Sequence, residues 1–115
     1  MATSMNRQPA YNNRGYAYSK KADFDRAIAD YDQAIGLDPK NADLYATRGR
    51  AYLSKGDTDL AIEDYTKAIG LYPKDKDYYR SIAYGSRATA YLAKGDKKRS
   101  FADFEKGMEL GSAPQ

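Results

Sequence analysis

The sequence predicts an all-α protein, an α-solenoid of three antiparallel helix-turn-helix hairpins with six helices. Internal repetition is the first ground. The stretch from Ala42 to Asp75, ADLYATRGRAYLSKGDTDLAIEDYTKAIGLYPKD, slid back by 34 positions, matches Gly49 to Gly15, Tyr52 to Tyr18, Ala61 to Ala27, Tyr65 to Tyr31, Ala68 to Ala34, Leu71 to Leu37 and Pro73 to Pro39. Slid forward by 39 positions, it matches Arg48 to Arg87, Tyr52 to Tyr91, Gly56 to Gly95, Tyr65 to Phe104 and Leu71 to Leu110. Helical spacing is the second ground: Ala27, Ile28, Tyr31, Ala34 and Ile35 fall at i, i+1, i+4, i+7 and i+8, one face at 3.6 residues per turn. A period of this size marks stacked units, each too small to bury its apolar face alone.

Taken in order, polar and aperiodic residues 1–7 are expected to form a flexible leader. Residues 8–115 are expected to form one domain, with repeats at about 8–41, 42–75 and 81–114 and a five-residue insertion at about 76–80. The first helix is expected from Pro9, tolerated in a first turn because its missing N–H would be unpaired there, to about Lys21. Asp23 stands at an N-cap position with Asp25 in the first turn, which predicts a second helix over Phe24–Leu37. Its alanines, 27 and 34, allow two antiparallel helices to approach closely. Pro39 disfavours helix in Asp38 and ends the hairpin.

The second copy repeats this with Gly56 at the turn, Asp57 as cap and Asp59 in the first turn. The extra residues that follow contain neither Gly nor Pro beyond Pro73. They predict a first helix of the third hairpin that is lengthened at its N-terminus, over Lys76–Lys94. In the third copy Ala88 replaces the glycine, Ser100 and Gly107 replace the two alanines, and Ser112 stands where proline is expected. The last helix, about Lys97–Leu110, opens on Lys97, Lys98 and Arg99, the wrong sign for a helix N-terminus.

Tyr45, Arg48, Gly49, Tyr52, Ala61, Tyr65 and Pro73 resemble the tetratricopeptide pattern W-x2-L-G-x2-Y, A-x3-F, P. The chain is identified as similar to tetratricopeptide-repeat (TPR) proteins over Gln8 to Pro114. The resemblance implies a right-handed superhelix whose concave groove, lined by the first helix of each hairpin, receives a peptide or partner segment. It implies groove positions at Asn12, Asn13, Tyr16, Lys20, Thr47, Arg50, Ser86 and Thr89. Lys20 and Arg50 supply positive charge there, which favours an acidic segment or a free C-terminal carboxylate. The five-residue chaperone-tail clamp of some family members falls here on Asn12, Tyr16, Thr47, Ile82 and Ser86, which does not support that specificity. The family usually follows its last hairpin with a capping helix. None follows here, so Phe101, Phe104 and Met108 are expected to be bare and open to self-association.

Other recurring residues are accounted for by pairing and packing. Arg14, Arg48 and Arg87 share one repeat position, and each is followed sixteen residues later by Asp30, Asp64 or Asp103. That co-occurrence predicts an ion pair within each hairpin rather than a ligand-binding ladder. Of the 12 tyrosines, eight occupy consensus positions (Tyr11, Tyr18, Tyr31, Tyr45, Tyr52, Tyr65, Tyr84 and Tyr91) and are assigned to packing.

Function classes are also bounded. With no Cys and no His among 115 residues, the usual metal ligands, the thiol nucleophile and the commonest general base are missing. No phosphate-binding, nucleophile-elbow or dinucleotide motif occurs, so no catalytic, cofactor or metal residue is assigned. A net charge of +3 is spread along the chain, and the Lys94, Lys97, Lys98, Arg99 cluster is broken by Asp96. RNA binding, which a steep salt dependence would reveal, and self-assembly are therefore the alternatives to a protein-binding module. MATSMNRQPA holds no apolar signal core, and no stretch is apolar enough to span a membrane. The cytoplasm is the default expectation.

Overall fold

The structure, a computed structural model, describes residues 4–112. Their helices are α1 (Ser4–Lys20), α2 (Phe24–Leu37), α3 (Ala42–Lys55), α4 (Thr58–Leu71), α5 (Asp77–Lys94) and α6 (Lys97–Gly111), with no strand among the described residues. Hairpins α1/α2, α3/α4 and α5/α6 stack through α2 on α3 and α4 on α5. The array measures 47 × 33 × 19 Å. α3 also touches α5 past the intervening helix, which puts the first helices on the tighter, concave side.

The expected leader and helix start differ from what is observed. Residues 1–3 lie outside the described residues, and α1 begins at Ser4, so Pro9 sits inside the helix. Its fixed φ is helical, and the local loss is the hydrogen bond its absent N–H would have given to the Met5 carbonyl. The inserted residues go mostly where expected. α5 has 18 residues against 14 in α3, which absorbs four of the five, and the linker Tyr72–Lys76 takes the fifth.

Turn and cap chemistry follows the sequence at most sites. Asp23 accepts from the Arg26 N–H at 3.3 Å, and Asp96 accepts from the Arg99 N–H at 3.0 Å and its guanidinium at 3.2 Å. That pairing offsets the basic opening of α6. Asp57 occupies the N-cap of α4 without a side-chain cap bond; its carboxylate lies 3.6 Å from Lys55 Nζ instead. Gly56 and Gly95 close their hairpins at φ 98° and 91°, while the first hairpin places Ala22 there at φ 60°. A methyl in that left-handed region costs roughly 1 kcal/mol.

The core is built from small residues against rings. Ala27, Ala34, Ala61 and Ala68 are fully buried beside buried Tyr31 and Tyr65. A Cβ at Gly15 would stand 2.7 Å from the Tyr31 ring and one at Gly49 3.0 Å from the Tyr65 ring, so these glycines let the helices meet. In the third hairpin Ala88 holds that position, and the equivalent ring, Phe104, is 42 % exposed. Close approach moves to the other end of that hairpin, where a Cβ at Gly107 would meet the Ser81 carbonyl at 3.1 Å. Ser81 Oγ donates to the Gly107 carbonyl there at 2.9 Å.

Candidate binding groove

Six of the eight residues expected to line the groove fall into two registered rows along α1, α3 and α5. Asn13, Thr47 and Ser86 form one row, and Tyr16, Arg50 and Thr89 the other. Asn12 and Lys20 flank them on α1. The second row is exposed on all three helices. Thr47 and Ser86 are half-buried, Asn13 is exposed and Asn12 is half-buried.

Tyr16 and Lys20 are brought together, with the ammonium 5.3 Å from the ring centroid, a contact that holds the charge without neutralising it. Arg50 acts on Tyr31 and Tyr65. Burial pushes both phenols up, Tyr65 to about 12, while the Arg50 charge draws each back down. Thr89 donates to the Gly85 carbonyl of its own helix at 3.1 Å, so its hydroxyl is left to accept rather than donate.

The charges of the two rows and of the inter-helix seams are used differently. Arg14, Arg26, Arg48, Arg80, Arg87 and Arg99 each hold a carboxylate. Among the described residues Arg50 and Lys20 pair with none, so both positive charges on the concave side are uncommitted.

In the seams the expected pairs are present and bidentate. Nε and Nη2 of Arg14, Arg48 and Arg87 donate to Asp30, Asp64 and Asp103 at 2.7–2.8 Å. The aspartates are buried. The Asp64 hydrogen bond holds the Arg48 guanidinium well above its usual pKa, and the Asp103 hydrogen bond raises that of Arg87. Arg48 also lies 5.7 Å from the centroids of both Tyr45 and Tyr52, and Arg87 lies similarly between Tyr84 and Tyr91. The consensus tyrosines thus pack, as expected, and they sandwich the arginines.

These arginines also reach across to the neighbouring hairpin, which the spacing within one repeat does not reveal. Arg48 Nη1 donates to Asp32 of the preceding hairpin at 2.9 Å, and Arg87 Nη1 to Thr66 Oγ1 at 3.1 Å. Lys55 pairs with Asp25 at 2.8 Å and Lys94 with Asp59 at 2.7 Å, again across hairpins. Asp25 and Asp59 share one repeat position, and Lys55 and Lys94 another, which was the available signal. Also unexpected is a cluster at the second linker: Tyr72 donates to Asp43 at 2.5 Å and stacks on Tyr79 at 5.9 Å.

Among the described residues no group of His, Cys, Asp and Glu could hold a metal ion, and no helix is long and apolar enough to cross a membrane.

Stacked hairpins of this length, held by small-residue contacts and presenting a concave first-helix face, define a helical-repeat solenoid. Tetratricopeptide-repeat family models match residues 12–76 and 81–110. The chain belongs to the tetratricopeptide-repeat family. Among solved structures it is similar to the second TPR of Spaghetti (RPAP3) bound to the HSP90 peptide SRMEEVD, at 33% identity and TM-score 0.80 over 90% of this chain and 92% of that one. It is also similar to the second TPR domain of human RPAP3 in complex with the HSP70 peptide SGPTIEEVD, at 30% identity and TM-score 0.84, covering 98% and 90%. The N-terminal domain of stress-induced protein-1 from C. elegans shares the fold, with TM-score 0.87 at 21% identity over 99% and 91%. No curated protein matches the chain.

Proposed function

We propose that this chain is a non-enzymatic protein-interaction module that receives a peptide or partner segment along the concave face. The contacts would come from Asn12, Asn13, Tyr16, Lys20, Thr47, Arg50, Ser86 and Thr89. The observation that carries the reading is the pair of cations without a carboxylate among the described residues, Lys20 and Arg50, beside the neutral side chains of Asn12, Asn13, Tyr16, Thr47, Ser86 and Thr89. From Arg14 onward every other described arginine holds a carboxylate, so the Arg50 charge is the one available to a ligand carboxylate, with Lys20 beside it. Neutral amides and hydroxyls suit the peptide backbone beside it.

Similar TPR domains bound to peptides ending in Glu-Glu-Val-Asp support an acidic, C-terminal ligand class. The clamp positions here hold Asn12, Tyr16, Thr47, Ile82 and Ser86, and Tyr16 and Ile82 are exposed rings and methyls rather than cations or amides. The favoured peptide is therefore acidic but with an apolar residue for Tyr16 and Ile82, rather than a chaperone tail read through every clamp contact.

Acidic heptapeptides with free C-termini, titrated calorimetrically, test this. A hydrogen bond to a charged group contributes roughly 1.5 to 3 kcal/mol, so Arg50→Ala is expected to weaken binding at least about tenfold with helicity unchanged. Equal affinity for wild type and the Arg50→Ala, Lys20→Ala double variant would remove the concave face as the site.

A further inference from the structure

We propose that this chain associates head to tail, the outer face of α6 in one copy docking on the outer face of α1 in the next. The inference is independent of the groove and rests on register. At the α2/α3 seam, Ile28 packs with Ala51 and Tyr52, Ile35 packs with Leu44 and Tyr45, and between them Asp32 accepts from Arg48 Nη1 at 2.9 Å. The α4/α5 seam repeats the arrangement, with Thr66 accepting from Arg87. One acceptor between two apolar residues thus meets one arginine between two small or apolar residues.

The two ends of the array carry the two halves of that seam. On α6 the equivalent positions are Phe101, Glu105 and Met108, with Phe101 65% and Met108 72% exposed. On α1 they are Ala10, Arg14 and Ala17, all exposed. Arg14 spends Nε and Nη2 on Asp30, as Arg48 does on Asp64, and among the described residues nothing accepts from its Nη1. Glu105 offers the acid that Nη1 finds at the internal seam. A second copy is the occupant that matches both faces, since charge and apolar spacing repeat an interface already made inside the molecule. Such a contact is heterologous: each docked copy leaves one head and one tail open, so growth is not closed at a dimer.

One position opposes docking. Where the internal seams have Asp25–Lys55 and Asp59–Lys94, the ends bring Lys98 toward Lys21. This rim pair is like-charged, which keeps the association weak and makes the register testable.

Sedimentation equilibrium of the chain is expected to show mass rising from 12.8 kDa with concentration and passing the dimer without a plateau. Met108→Glu and Ala17→Glu, each blocking one face, are each expected to stay at 12.8 kDa, and their equimolar mixture to form a one-to-one dimer. Recovery in the mixture also shows that both variants are folded. Lys98→Asp is expected to tighten association about fivefold, the order of one exposed ion pair. A wild-type mass fixed at 12.8 kDa up to millimolar concentration overturns the proposal. So do Ala17→Glu associating as wild type does, which would make the contact tail to tail, a mixture that stays monomeric, or a Lys98→Asp variant that gains nothing.

Discussion

Arg14 and Arg48 make the same two hydrogen bonds to the same kind of partner, yet they sit in different surroundings. Arg48 has a side chain 20% exposed, lies between two rings and reaches across to Asp32, whereas Arg14 is 61% exposed. The first hairpin shows the seam before a neighbour covers it, and the second shows it covered. The chemistry of the pair is written into each repeat, but its energetic weight is set by the hairpin stacked against it, as expected where stability is a sum of unit and neighbour terms.

The sharpest test of that difference is to remove the carboxylate in each place. Asp64→Ala leaves a half-buried guanidinium with part of its partners gone, and is expected to destabilise by about 3 kcal/mol. Asp30→Ala leaves Arg14 facing water, so its denaturation midpoint is expected to fall clearly less. Equal losses in urea melts would break the comparison.

Smaller effects sharpen it at the turns. Gly56→Ala is expected to cost about 1 kcal/mol because it puts a methyl at φ 98°, and Ala22→Gly to gain up to about 1 kcal/mol because it removes one at φ 60°. The two thermal midpoints should move in opposite directions.

Smallest in the physiological range is the alkaline response. The Tyr65 phenol is raised from 10.0 to about 12 by burial, so the folded state holds its proton longer than the unfolded state does. Its contribution is complete below pH 10 and is lost as pH rises toward about 12. Tyr65→Phe is expected to flatten that part of the stability profile.

Much of this was legible in the chain. Asp23 before Phe24 and Pro39 after Leu37 bracket α2 with its observed bounds, and the sixteen-residue spacing of Arg and Asp named the three pairs. What was not legible depends on three-dimensional neighbours. Pro9 reads as a helix start because proline favours first turns, yet in the fold helix precedes it from Ser4. Asp57 reads as a cap as well as Asp23 does, yet its carboxylate turns to Lys55. Asp32 lies sixteen residues before Arg48, mirroring Asp64 after it, but its role depends on how one hairpin leans on the next. Along the first helices, periodicity names the exposed rows, whereas Arg50 having no carboxylate partner among the described residues emerges only when the other charges are paired in space.

Amide chemical-shift mapping of the chain during titration with an acidic peptide bearing a free C-terminus distinguishes a peptide held on the concave face from one held at an end of the array. Shifts are expected along Tyr16, Thr47, Arg50, Ser86 and Thr89, and are expected to be lost in the Arg50→Ala, Lys20→Ala variant. Shifts confined to α6 around Phe101 and Met108, unchanged in that variant, would contradict binding on the concave face.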